Sequence, residues 1–139
     1  MVSIRPVQPF DLPAISALDA RLTGSEKPAY WQEMLAPGRH FLLVEKEKGA
    51  LAGFIAGEIR AWEFGQPPAG WVFAIQIDPK LRLKGVGTAL FDALVARFRE
   101  NGVTRVRTLV DRKDHLILSF FRAQGMVAGP SLQLDKDLS

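Results

Sequence analysis

The sequence predicts a mixed α/β (α+β) fold, and three observations predict it. A β-branched and aromatic run at 71–77 feeds a basic glycine turn and then an amphipathic helical stripe. Elsewhere, strand-like and helix-like periodicities follow one another in the order β-α-α-β-β-β-α-β-α-β. Finally, 47% of the 139 residues are hydrophobic and 24% charged, enough for a buried core and ordinary for a globular chain. The length favours one domain over residues 1–139, and no linker, repeat or low-complexity tract divides it.

Each element has its own signal. Ser3 to Val7 reads as a short strand, with Pro6 favouring a sheet edge. Asp11 is placed to cap a helix that carries Pro13 in its first turn, repeats Leu12, Ile15, Leu18 and Leu22, and ends before Thr23-Gly24-Ser25. A second short helix is expected from Ala29 to Leu35, closed by Pro37-Gly38. Phe41 to Val44 and Leu51 to Trp62 form a hairpin around a charged turn at Glu45 to Gly49. Gly53 and Gly57 inside its second strand predict a bulge or a close backbone approach. A turn-rich loop, 63–70, leads to the strand Trp71 to Ile77, whose nearly continuous apolar run predicts cover on both faces. The helix after the glycine turn shows Leu90, Phe91, Leu94, Val95 and Phe98 and stops at Asn101-Gly102. Val103 to Val110 reads as a strand, His115 to Gln124 as a helix stopped by Gly125, and Met126 to Leu134 as a last strand.

Composition excludes several chemistries. There is no cysteine, hence no disulfide frame and no thiolate chemistry, and the two histidines lack metal spacing. A net charge of +3 suits an anionic ligand but is too small to argue for nucleic acid, despite Arg105, Arg107, Arg112 and Lys113. No run approaches the 18 apolar residues of a membrane span, and a soluble cytoplasmic protein is the expectation.

The chemistry-bearing stretch is Ile77 to Leu90, containing Arg82-x-Lys84-Gly85-x-Gly87. Glycines let backbone approach a ligand without a Cβ. The first N–H groups of a helix have no intrahelical partner, and the dipole adds roughly +0.5 charge there. Arg82 and Lys84 add full charges suited to phosphate oxygens. A Walker loop is absent, and Leu90 stands where a dinucleotide fingerprint needs its third glycine.

The residues Ile77, Pro79, Arg82, Gly85, Gly87 and Leu90 resemble the acetyl-CoA pyrophosphate loop of the GCN5-related N-acetyltransferases, the GNAT superfamily. The opening Ile4-Arg5-Pro6 with Asp11 to Ile15, the hairpin before the loop, and Phe120-Phe121 to Gly125-Met126 extend the resemblance over nearly the whole chain. It implies a mostly antiparallel sheet splayed between its fourth and fifth strands and flanked by about four helices. It implies an acetyl-CoA-dependent N-acetyltransferase that moves acetyl directly to a primary amine. Pantetheine would lie along the fourth strand at Ile75, Gln76 and Ile77, and the pyrophosphate on Arg82, Leu83, Lys84, Gly85, Val86, Gly87 and Thr88. Asp114 and Phe121 fall where relatives place an asparagine and a tyrosine beside the cofactor.

Three departures accompany the resemblance. The fourth strand has no glutamate for a general base, which leaves Glu58 and Glu63 as carboxylate candidates, each competing with the reading of a solvated surface charge. Phe121 has no proton to give a leaving thiolate. Asp114 would repel phosphate and suits a helix cap better. His40 and His115 read as surface or capping residues. A module that binds or senses CoA without efficient transfer therefore remains an alternative. The acceptor, a small molecule or a protein amine, is not encoded legibly. No metal, membrane or nucleic-acid partner is expected, and a homodimer is compatible with this reading.

Overall fold

The computed structural model describes residues 3–36, 38, 40–82 and 84–139. Nine elements follow in order: β1 (Ser3–Pro6), α1 (Leu12–Thr23), α2 (Pro28–Glu33), β2 (His40–Glu47), β3 (Ala50–Arg60), β4 (Ala69–Ile77), α3 (Val86–Glu100), β5 (Val106–Thr108) and α4 (His115–Ala123). Single 3-10 turns precede α1 and flank β4. The chain divides into two compact units, one reaching Leu109 and the other spanning Val110–Ser139. The sheet belongs to the first, in the order β1-β2-β3-β4-β5, antiparallel except for the parallel β4–β5 pair.

Register assigns each side chain a face. Leu42 pairs with Ala56 and Val44 with Phe54. These four pack with Leu12, Ile15 and Leu18 of α1, Trp31 of α2, and Met34. Alternation puts Leu43, Glu45, Ile55 and Gly57 on the other face. There α3 presents the buried stripe Val86, Leu90, Leu94 and Phe98. The approach of α3 is close because the sheet carries glycine beneath it. A Cβ on Gly57 would lie 3.0 Å from side-chain atoms of Leu94 and Phe98 and 2.7 Å from the Trp71 carbonyl oxygen, and one on Gly70 only 2.3 Å from the Phe98 ring.

Several expectations change. Glu45 is not in a turn: β2 runs through Glu47, the reversal narrows to Lys48-Gly49, and Glu45 is fully buried. Asp11 is not a capping side chain for α1, because its carboxylate is taken by Arg5 and by the Gln8 N–H. β4 is not covered throughout: Phe73 is 40% exposed and residues 74–77 are half-buried, because β5 ends too early to cover them. The strand expected over Met126 to Leu134 does not form. Gly129-Pro130 interrupts that run, Pro130 has no N–H for a ladder, and Val127, Leu132 and Leu134 are more than 80% exposed. Pro37, expected to help close α2, lies outside the described residues.

Candidate active site

β4 has two halves. Gly70, Trp71 and Val72 pair with Val106, Arg107 and Thr108 of β5, and the Thr108 hydroxyl donates to the Val72 carbonyl at 2.7 Å. Beyond Val72, β5 makes no further pair, and the sheet forks. On its other edge β4 stays paired to β3 as far as Ile77. That ladder skips one residue, since Ala56 faces Ala74 while Gly57 faces Val72. Phe73 is the extra residue, a bulge at the mouth of the fork. Ile75, Gln76 and Ile77 line the open half, so their register leaves one edge of an extended backbone available to an amide-bearing chain.

β4 runs directly into the glycine turn. Asp78 donates its N–H to the Ala52 carbonyl at 2.8 Å, and its side chain caps the 3-10 turn by accepting from the Lys80 N–H at 3.0 Å. Gly85 adopts φ +81°, a conformation strained for residues with a Cβ, and hands the chain to α3 without a side-chain cap. The helix therefore opens at Val86, Gly87 and Thr88 with the polarity of an anion site. Arg82 and Lys84 are exposed beside it. Leu83 lies outside the described residues.

The other expected site residues have diverse surroundings. The Gln76 amide donates to Asp19 Oδ1 at 2.9 Å, so its side chain serves the α1 face. Asp19 also accepts from Lys27 Nζ and from Trp31 Nε1 at 3.2 Å. Burial pushes the Asp19 carboxyl up, but the hydrogen bonds from Lys27, Gln76 and Trp31 outweigh it and hold the group below the usual range. Glu63 is exposed and ion-paired to Arg60 at 2.8 Å. Glu58 is only partly exposed and has a partner: its Oε2 lies 3.3 Å from His40 Nε2. In the second unit, Asp114 caps α4 by accepting from the Ile117 N–H at 3.1 Å, the role its charge suggests. Phe121 is buried, with its ring edge-on to Phe120 at 5.2 Å. No cluster of metal ligands exists among the described residues.

Sequence reasoning read His40 as a surface or capping residue, which its exposure fits, and did not foresee its partner. It is the first residue of β2, paired with Glu58, and its ring stands edge-on to the bulged Phe73 at 6.4 Å. A hairpin turning at Lys48-Gly49 pairs His40 near position 57. The bulge between Glu45 and Lys46 moves it to Glu58, and no residue type announced that shift.

Comparison with known proteins follows the same outline. Over 84 residues, 60% of this chain, it is 33% identical to the mycothiol acetyltransferase of Propionibacterium freudenreichii subsp. shermanii, and the match spans 26% of that protein. An aminoglycoside N-acetyltransferase solved with CoA superposes with a TM-score of 0.88 at 17% identity, covering 100% of this chain and 96% of that one. A ribosomal-protein-alanine N-acetyltransferase from Brucella melitensis biovar Abortus 2308 gives 0.83 at 20% identity, with both chains covered completely. At these identities the structures speak for the fold. Among the described residues no helix is long and apolar enough to cross a membrane. Residues 10–126 match the model of the Acetyltransferase (GNAT) family, and the chain belongs to that family.

Proposed function

We propose that this protein transfers an acetyl group from acetyl-CoA to a primary amine of a small molecule. The observation that carries the reading is the fork: β4 stays tied to β3 but loses β5 after Val72, and its open half ends in a basic glycine turn at the start of α3. Pantetheine is an amide-bearing chain, and the edge of β4 at Ile75, Gln76 and Ile77, which β5 does not pair, suits its addition as an extra strand. A pyrophosphate matches Arg82, Lys84 and the opening N–H groups at Gly85, Val86, Gly87 and Thr88. The turn is open on one side, since a Cβ at Gly85 would have nothing within 4 Å among the described residues.

The chemistry asks little of the protein. The thioester is already activated, so the site must hold both partners close, polarise the carbonyl and neutralise the ammonium. The amine nitrogen attacks the carbonyl carbon, the C–S bond breaks, and the departing thiolate takes a proton. A thiol pKa of about 8.5 makes that departure tolerable near neutrality without a tyrosine. The aminoglycoside and mycothiol acetyltransferases that the chain resembles favour a small, polar amine as acceptor.

Calorimetry with acetyl-CoA tests the cofactor half. Gly85→Val strains the left-handed turn and puts bulk on the phosphate path, and affinity should fall by about 1.5–3 kcal/mol, the range of charged hydrogen bonds. Unchanged affinity in the folded variant would move the cofactor elsewhere. Release of free CoA with a mixed amine panel tests transfer itself.

A further inference from the structure

Resting on that reading, we infer that Glu58, with His40 beside it, is the proton acceptor for the amine, and that Phe73 completes an acceptor subsite for a primary ammonium. The carboxylate that β4 lacks is provided one strand away. Glu58 lies directly opposite Trp71 in the β3–β4 ladder, and His40 lies directly opposite Glu58 in the β2–β3 ladder. Directly opposite residues share a face, and here it is the α1/α2 face. Trp71 is the residue next but one before Phe73, where β5 departs, so the pair sits beside the point at which the thioester carbonyl would enter the fork.

The surroundings fit an incoming cation. Glu58 is one-third exposed, open enough to meet a substrate. His40 approaches Glu58 at Oε2, and the partial exposure of the carboxylate leaves room for an ammonium beside it. Phe73, at 40% exposure, presents an aromatic surface against the His40 ring, and cations sit well over such faces. Other charged groups on this face have partners of their own: Asp19 has Lys27, Asp11 has Arg5 and Lys46, and Arg60 has Glu63 and the Trp71 ring at 4.2 Å.

The proton count closes. Glu58 carboxylate takes one proton from the ammonium, giving a neutral amine and a carboxylic acid. The amine forms the C–N bond, the C–S bond breaks, and the second nitrogen proton leaves with the thiolate as free thiol. Glu58 then returns its proton to water. His40 does not touch the substrate. It is a positioning residue that keeps the carboxylate turned to the fork.

The test uses wild type, Glu58→Gln, His40→Ala and His40→Gln, with spermidine, glucosamine and an alanine-ended peptide as acceptors. Acetyl-CoA affinity is measured by calorimetry and rates from pH 6 to 10. Glu58→Gln should lower kcat by 10²–10⁴-fold near neutrality, keep acetyl-CoA affinity within twofold, and recover as alkaline solution deprotonates the amine unaided. His40→Ala should cost roughly tenfold, and His40→Gln, which can return an N–H to Glu58, should restore most of it. Glu58→Gln with more than half the wild-type kcat, or with a loss independent of pH, overturns the assignment of Glu58. His40→Gln no better than His40→Ala overturns that of His40. Wild type that binds no acetyl-CoA, or turns over none of these amines, is recognised before any variant is made and removes the parent reading along with this one.

Discussion

The two faces of the sheet solve different problems with the same strands. On the α1/α2 face, buried or half-buried carboxylates are common and each has partners: Asp11 with Arg5, Asp19 with Lys27, Trp31 and Gln76, Glu58 with His40. The α3 face is tight. Glycines there bring helix and sheet within contact of each other, and its one buried charge-bearing side chain, Glu45, has no hydrogen-bond partner for either oxygen among the described residues. One face keeps charged groups, each with a partner. The other, which seats a helix, largely dispenses with them.

The largest expected effect lies on the tight face. Gly70→Val would set its Cβ 2.3 Å from the ring of Phe98, which is itself 2% exposed and flanked by the Phe41 ring at 5.5 Å. The ring cannot yield without moving α3, so the variant should lose about 3 kcal/mol in urea unfolding, the upper part of the range for overpacked cores. A loss under 1 kcal/mol would mean that this face is looser than its contacts indicate.

Much of this contrast was legible in the sequence, and the rest was hidden for identifiable reasons. The apolar stripe of α3 is a local pattern and announced a buried helix face. Gly53 and Gly57 announced a bulge or close backbone approach, and the ladder does shift at Ala56/Gly57. The closeness of α3 to Gly57 and Gly70 was not in the pattern. The strand–glycine turn–helix order was legible because it too is a local pattern. The partnered carboxylates were not legible, because pairing depends on register, and one bulge at Glu45–Lys46 decides whether His40 meets position 57 or 58. Glu45 was misplaced because a charged residue followed by Lys46, Glu47, Lys48 and Gly49 carries turn composition, while pairing with Gly53 keeps it inside the sheet, where it is buried. The fork itself depends on where β5 stops. Val103 to Val110 has strand composition throughout, but only Val106–Thr108 finds a partner.

A middle-sized effect tests the polar face through pH. Asp11 is fully buried, with two Arg5 nitrogens at 2.7 and 2.9 Å and the Gln8 N–H at 2.7 Å. The Arg5 hydrogen bonds, opposed by burial, hold its carboxyl at about 2, below the ordinary 3.8. A depressed carboxyl contributes stability that is complete above its unfolded value and disappears as pH falls through the folded one. The window is therefore pH 4 down to 2, and the contribution roughly 2 kcal/mol. Unfolding free energies of wild type should fall across that window, and those of Asp11→Asn should stay flatter while starting lower. Parallel curves would show that the Arg5 pair adds nothing.

The smallest effect, with the opposite sign, belongs to Glu45. Burial, and then the neighbouring charge of Glu47, push its carboxyl up from the ordinary 4.5. A raised carboxyl gives its full stability below the unfolded value and loses it as pH climbs toward the folded one. Wild type should thus weaken slightly as pH rises above 4.5, in the opposite sense to the Asp11 window. Glu45→Leu removes the titration and fills the same space on the apolar face with carbon. Replacing an unpartnered buried carboxyl by an apolar group of similar volume is often neutral or stabilising. The variant should match or exceed wild type by up to about 1 kcal/mol at pH 7, with a flat profile between pH 4.5 and 7 by urea unfolding. Glu45→Gln, which keeps two polar atoms without partners, should lose the titration without the gain. If Glu45→Leu instead loses several kcal/mol, or keeps its stability but no longer binds acetyl-CoA, then the α3 face holds a polar function of its own, and the division of labour between the two faces does not stand.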